Sequence, residues 1–196
     1  GFVGGDEVDK ATGIAVDASG CAYIAGDTLS DERTFPVKVG PTLKLSKGNW
    51  SIQDAFVAKI SATGRSILYC GYLGGTHTES CFSMTIDAAG HAYVTGETYS
   101  AANTMPLKVG PSLVNAGSGW SDCFVAKVTP SGSGFVYFGL IGGDSIEAGF
   151  GIAADARGHA YVGGSTYSKP STFPFTNWPF PPNPKAGYYG FVAKVD

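Results

Sequence analysis

The feature that most constrains this chain is an internal repeat of about seventy residues, present three times in 196 residues. Residues 13–28 read GIAVDASGCAYIAGDT, residues 83–98 read SMTIDAAGHAYVTGET, and residues 151–166 read GIAADARGHAYVGGST. A second motif follows each: DAFVAKI at 54–60, DCFVAKV at 122–128 and GFVAKV at 190–195. A third motif, YCGYLGG at 69–75 and YFGLIGG at 137–143, closes the unit, and the opening GFVGG matches its end. Asp17, Asp87 and Asp155 are equivalent, at offsets of 70 and 68 residues. Any fold for this chain must build the same supersecondary unit three times.

Each unit reads as four strands. In the first unit they run over about 12–17, 21–26, 54–60 and 66–73. The turn Ala18-Ser19-Gly20 puts glycine where a tight turn needs a positive φ. Strand three alternates, with Phe56, Ala58 and Ile60 on one face and Val57 and Lys59 on the other. A connection of some 25 residues separates strands two and three. No sustained helical period occurs, and 29 glycines without a collagen period suit short strands joined by tight turns. A four-stranded antiparallel unit in tandem predicts an all-β chain, a β-propeller with three blades. A linear β-solenoid or a sandwich is the competing architecture.

Composition narrows the function classes. Hydrophobic residues make up 43% and charged residues 15%, so the chain is globular. The net charge is −3 and no Lys/Arg run occurs, which argues against nucleic acid and an anionic membrane surface as partners. No apolar stretch approaches the ~18 residues of a spanning helix, so no membrane insertion is expected. No signal peptide is visible at the N-terminus.

GIAVDASGCAYIAG, DAFVAKI and LYCGYLGG together resemble the SBBP family of bacterial β-propeller repeats, across essentially the whole chain. The resemblance implies a propeller fold and export to the bacterial cell surface or exterior. It implies no catalytic residues.

The expected organisation is a closing strand at 1–5, a first blade at 6–75, a second at 76–143, and a third at 144–196 that lacks its last strand. GFVGG is expected to supply that strand by strand exchange, which would remove an exposed sheet edge. Propellers have four to eight blades. Three therefore require a second copy, making a six-bladed homodimer ring, or the remainder of a longer propeller chain.

Candidate site residues gather on one end of the blades. The loops from strand four to strand one carry Asp6, Glu7 and Asp9, then His77 and Glu79, then Asp144 and Glu147. The long connections from strand two to strand three carry Thr34-Phe35-Pro36, Thr104-Met105-Pro106 and Thr172-Phe173-Pro174, with Trp50, Trp120, Trp178, Tyr188 and Tyr189. Long loops on a rigid scaffold are where binding concentrates. Two readings of the aromatics stand: a platform for a sugar or peptide, or a satellite core under folded-back loops. The acids read as solvated turns or as Ca²⁺ ligands, although G-G-D-E-V-D matches no calcium-loop pattern.

The remaining chemistry-bearing residues read as structural. Asp17, Asp87 and Asp155 are expected to accept hydrogen bonds inside their turns. His91 and His159 share one repeat position with Cys21 and match no zinc spacing. Cys21, Cys70, Cys81 and Cys123 occupy four different repeat positions, so buried thiols are expected, with a Cys70–Cys81 bridge as the alternative. No catalytic motif, cofactor motif or metal site is recognisable. The expected function is a structural or adhesive protein-binding scaffold. A carbohydrate-binding module, with a glycan as partner, is second, and a glycan-active enzyme third.

Overall fold

A computed structural model describes residues 1–45, 53–112, 120–174 and 187–196. Those residues form an all-β structure of eleven strands without an α-helix. The strands are β1 (Asp9–Val16), β2 (Ala22–Thr28), β3 (Asp54–Ile60), β4 (Ile67–Leu73), β5 (Glu79–Ile86), β6 (Ala92–Thr98), β7 (Asp122–Val128), β8 (Phe135–Ile141), β9 (Glu147–Ala154), β10 (Ala160–Thr166) and β11 (Tyr189–Val195). They make three antiparallel sheets in chain order: β1-β2-β3-β4, β5-β6-β7-β8 and β9-β10-β11. The 54–60 strand has the bounds its alternation predicts. The first strand starts earlier than expected, at Asp9, because a bulge between Ala11 and Gly13 breaks the alternation there.

The turn between the first two strands of each sheet works as its residues suggest. Asp17 Oδ1 accepts the Ser19 and Cys21 N–H groups, both at 2.9 Å, and Gly20 takes φ 81°. Asp87 and Asp155 make the same pairs of bonds at 2.9–3.0 Å. The Cys21 N–H leads the contacts that hold Asp17 below the usual carboxylate range.

A second glycine position has a different cause. The bulge in each first strand pushes a carbonyl oxygen against the second strand. A Cβ at Gly26, Gly96 or Gly164 would overlap the oxygen of Lys10, Ser80 or Ala148 respectively. The glycine closing each A-Y-x-x-G motif is therefore a packing requirement.

The sheets stack face to face through their first strands. β5 lies across β1, β2 and β3, and β9 lies across β5, β6 and β7. Tyr23 and Val57 of the first sheet share a core with Met84, Val94 and Phe124 of the second. Tyr93 and Val125 of the second share one with Val162 and Phe191 of the third. Both faces of the middle sheet are thus buried, which is why 122–128 is apolar on both sides. In the first sheet 54–60 is covered by β5 on one face and by Phe35 and Leu45 of the long connection on the other.

The long connections fold back on the sheets. Phe35, Met105 and Phe173 are buried, and Phe35 meets Phe56 edge-on at 5.1 Å. Lys38 exchanges backbone hydrogen bonds with Cys70 at 2.7 and 2.9 Å, covering the free side of β4.

The expected closing strand is not formed. Residues 1–5 adopt no strand and pair with no edge of the third sheet. The adjoining loop is fastened to the first sheet: Gly5 N–H donates to Asp9 Oδ2 at 2.7 Å, Glu7 N–H to Ser30 Oγ at 3.0 Å, and Leu29 N–H to the Val8 oxygen at 3.0 Å. Val3 packs against the cluster that holds Phe35. The two residues before Val3 span only about 7 Å when extended, so they stay beside the first sheet. The three sheets do not close on themselves.

All four cysteines are free thiols, and Cys70, Cys81 and Cys123 are buried. Burial pushes each of these three thiols up to about 12. In the folded protein a thiol reagent should label Cys21 alone, and denaturation should release three more; labelling of a buried thiol at the Cys21 rate would contradict this packing. Gly96→Ala should cost about 3 kcal/mol or more in denaturant unfolding, since backbone must move. Gly134→Ala, where a Cβ meets nothing, should stay within about 0.5 kcal/mol.

Candidate functional site

The loop end of the structure is organised by one clasp, made three times. Asp9, Glu79 and Glu147 begin the first strands and lie opposite Thr28, Thr98 and Thr166 of the second strands. Each threonine hydroxyl donates to its acid at 2.5 Å. The other carboxylate oxygen accepts the N–H of Gly5, Gly75 or Gly143, at 2.7–2.8 Å. Two residues past each threonine stands a serine. The N–H of Ser30, Ser100 and Ser168 donates to the threonine hydroxyl at 2.9–3.0 Å. Their hydroxyls accept the N–H of Glu7, His77 and Ser145 at 2.8–3.0 Å. The motif G-G-x3-[D/E] together with T-x-S is thereby a closed hydrogen-bonded unit.

Two of these clasps also join neighbouring sheets. Glu79 N–H donates to the Gln53 oxygen at 2.9 Å, and Glu147 N–H to the Ser121 oxygen at 2.8 Å. The Asp54 side chain hydrogen-bonds Glu79, and Gly74 lies against both carboxyl groups. Gly142 lies in the same way against Asp122 and Glu147. Burial pushes Glu79 up to about 7, against the opposing pull of the Ser100, Thr98, Gly75 and Asp54 hydrogen bonds.

The acids expected to face a ligand therefore divide. Glu79 and Glu147 are fully buried, and Asp9 is partly buried in its clasp. Their oxygens are taken up by threonine hydroxyls and glycine N–H groups, so they act as joints between strands. Asp6, Glu7, His77 and Asp144 are exposed. Of these, Asp6 accepts the Thr34 hydroxyl at 2.5 Å and Asp144 the Thr172 hydroxyl at 2.7 Å. In the middle unit Thr104 Oγ1 accepts the Thr76 N–H instead, at 3.3 Å. The threonine before each Phe-Pro or Met-Pro thus pins a long connection to the loop beside it. The Thr172 hydroxyl leads the contacts that hold Asp144 below the usual carboxylate range.

Beyond the clasps, aromatic side chains reach solvent. Trp120 is 55% exposed, and Tyr99, Tyr167 and Tyr188 are about half exposed. Trp50 and Trp178 lie outside the described residues. The pair Thr98↔Asp122 sets Tyr99 and Trp120 just past the ends of β6 and β7. The pair Thr166↔Tyr189 does the same for Tyr167 and Tyr188 on β10 and β11. The Tyr167 and Tyr188 rings lie 4.7 Å apart at 51°. The Glu147–Ser121 bond and the Tyr167 N–H to Ile146 bond of 2.9 Å tie the two groups into one row. Its length is about 20 Å, taking roughly 4.8 Å per strand. Sequence reasoning had Trp120 and Tyr188 but missed Tyr99 and Tyr167. Their signal was the recurrent T-Y-S after the second strand, obscured because the first unit has T-L-S.

An open hollow of about 360 Å³ lies against residues 1–3 and Ile24, Ile60 and Arg65, and no carboxylate lines it. Among the described residues no three His, Cys, Asp or Glu side chains are placed to hold a metal ion. His91 and His159 instead turn Nδ1 to Asp87 and Asp155 at 2.9 and 2.8 Å. Among the described residues no helix is long and apolar enough to cross a membrane. The chain matches no protein-family model and no curated protein.

Glu79 holds its proton to a higher pH folded than unfolded, where its ordinary value is 4.5. The folded state then binds more protons between about pH 4.5 and pH 7. Its contribution to stability is present below pH 4.5, declines as pH rises to about 7, and is level above that. Glu79→Gln should flatten this part of the stability curve. Glu79→Ala, which strands the Thr98 hydroxyl and the Gly75 N–H, should cost about 2–4 kcal/mol in chemical unfolding; a loss below about 0.5 kcal/mol would show that the clasp bears little weight.

Proposed function

We propose that this chain is a structural or adhesive binding module of the bacterial cell exterior. Its sheets are blades of a β-propeller, and its loop end takes up a protein partner. The observation that carries the reading is the exposed row of Tyr99, Trp120, Tyr167 and Tyr188, set on strand ends held by buried clasps. Half-exposed aromatics grouped on a rigid base favour a binding surface, since such side chains dominate interface energetics. The row is extended, running across several strand ends, which suits a protein surface better than a small ligand.

The propeller reading draws support from the strand order, one-two-three-four in each complete sheet, and from first strands that lie against the neighbouring sheet. Export and the cell-surface location rest on the resemblance of the repeats to the SBBP family.

Glycan binding is the second reading, favoured by the paired Tyr167 and Tyr188 rings beside Trp120. Against it, the Asp6 and Asp144 carboxylates that could hold sugar hydroxyls are engaged by Thr34 and Thr172. A glycan-active enzyme is the weakest reading. The close carboxyl pairs at Glu79 and Glu147 are buried in joints, where no substrate reaches them.

The test applies the protein to an array of bacterial surface proteins and to a glycan array, alongside Trp120→Ala and Tyr188→Ala. Protein binding weakened tenfold or more by either substitution supports the first reading. Glycan binding with that same loss selects the second. Binding that neither substitution changes places the site elsewhere and overturns both.

A further inference from the structure

The repeat makes each sheet-to-sheet junction a template for the two faces left over at the ends. At the first junction, Tyr23 and Val57 are covered by β5 and are 0% exposed. At the second, Tyr93 and Val125 are covered by β9 and are also 0% exposed. The third sheet repeats these positions as Tyr161 and Val192, now 38% and 81% exposed. On the opposite end the first sheet presents Ile14 and Val16, 69% and 61% exposed. Their counterpart Met84 is buried against the first sheet, and Ile86 packs against the same core.

The polar contacts are templated too. Tyr23 Oη donates to the Gly90 carbonyl of the next sheet at 3.4 Å, and Tyr93 Oη to the Gly158 carbonyl at 2.9 Å. Lys127 Nζ adds a bond to the same Gly158 oxygen at 3.1 Å. The third sheet carries the same donors as Tyr161 and Lys194, and the first sheet carries the matching turn at Gly20, which is exposed.

A substitution pattern says which occupant fits. Both internal junctions set an aspartate, Asp54 or Asp122, against a glutamate, Glu79 or Glu147. The terminal faces carry Tyr189 in the aspartate position and Asp9 in the glutamate position. The longer side chain stands on the third sheet and the shorter on the first. A phenol donor also replaces one member of a carboxyl pair. The two end faces are thus matched to each other in size.

We infer that the third sheet of this chain docks the first sheet of a second copy, as β5 docks on the first sheet and β9 on the second. The contact is head-to-tail, so two copies make it twice and close into a ring of six sheets. Tyr161 donates to the partner's Gly20 carbonyl, and Val192 packs on the partner's Ile14 and Val16.

The experiment is native mass and light scattering on the full chain at 50 µM, a concentration chosen for the assay on the order of typical transient affinities. The expected particle has twice the 20.2 kDa chain mass. Val192→Arg blocks the third-sheet face and Ile14→Arg the first-sheet face. Each alone should weaken association at least about 100-fold and run as one chain, since a guanidinium is buried unpaired. Circular dichroism should show both variants folded. Mixing them should restore a two-chain particle, because one variant retains the first-sheet face and the other the third-sheet face. A single-chain particle for the unmodified protein overturns the inference. So does a dimer that neither substitution disrupts, or a pair of folded variants that mixing does not rescue. A ladder of three or more chains overturns the closed pair, and a different protein cross-linked through position 192 of a single-chain particle overturns the second copy as occupant.

Discussion

The structure depends on a carboxylate held between a threonine hydroxyl and a glycine N–H at the start of each first strand. Asp9, Glu79 and Glu147 each bind their strand partner sideways and the incoming loop end-on. The contact ties the start of each first strand to the end of the second and to the loop that leads in. It also fixes the serine that captures the next loop N–H. Removing the acid strands several donors at once, and unsatisfied buried donors are costlier than the bonds they replace.

Sheet stacking follows from that clasp. Glu79 and Glu147 each reach back to the preceding sheet, through a backbone bond and through a neighbouring aspartate. Burying carboxyl groups in one joint is expensive unless hydrogen bonds satisfy their oxygens. The arrangement is tolerated because hydroxyl and amide donors surround it. Around each joint, tyrosine, valine and phenylalanine supply the apolar area that drives stacking. Each sheet contacts its immediate neighbours, so the architecture is built from one repeated interface. Val192, Ile14 and Val16 hold the repeat positions that this interface covers elsewhere, and they are exposed.

Much of the local structure was legible in the residues. The D-x-x-G turns and the alternation of 54–60 each reflect a short-range requirement. A turn needs an acceptor two residues back and a strand needs period two, whereas the close approach that makes Gly26, Gly96 and Gly164 necessary appeared only with the bulge. For Phe35 and Phe173 the sequence left a binding platform and a satellite core both open, and the structure decides for the core, burying them together with Met105. The roles of Glu79 and Glu147 were less legible, since G-G-x3-[D/E] reads equally as a solvated loop. Only the stacking of sheets shows those acids turned inward. Tyr99 and Tyr167 were overlooked for the same reason, because a tyrosine after a strand declares its exposure only once its neighbours are in place.

The sequence by itself determined three tandem β-units, their antiparallel strands and their turns, because each is set by contacts within one repeat. Tertiary structure decided what lies between and beyond them. The placement of residues 1–5 is the clearest case. GFVGG matches the end of a fourth strand and predicts pairing with the last sheet. In the folded chain the clasp at Asp9 and the hydrogen bond to Ser30 hold the adjoining loop on the first sheet, and Val3 packs against that sheet's cluster, so GFVGG lies beside the first sheet. Local pattern defines what a segment can pair with; chain length and neighbouring contacts define what it can reach.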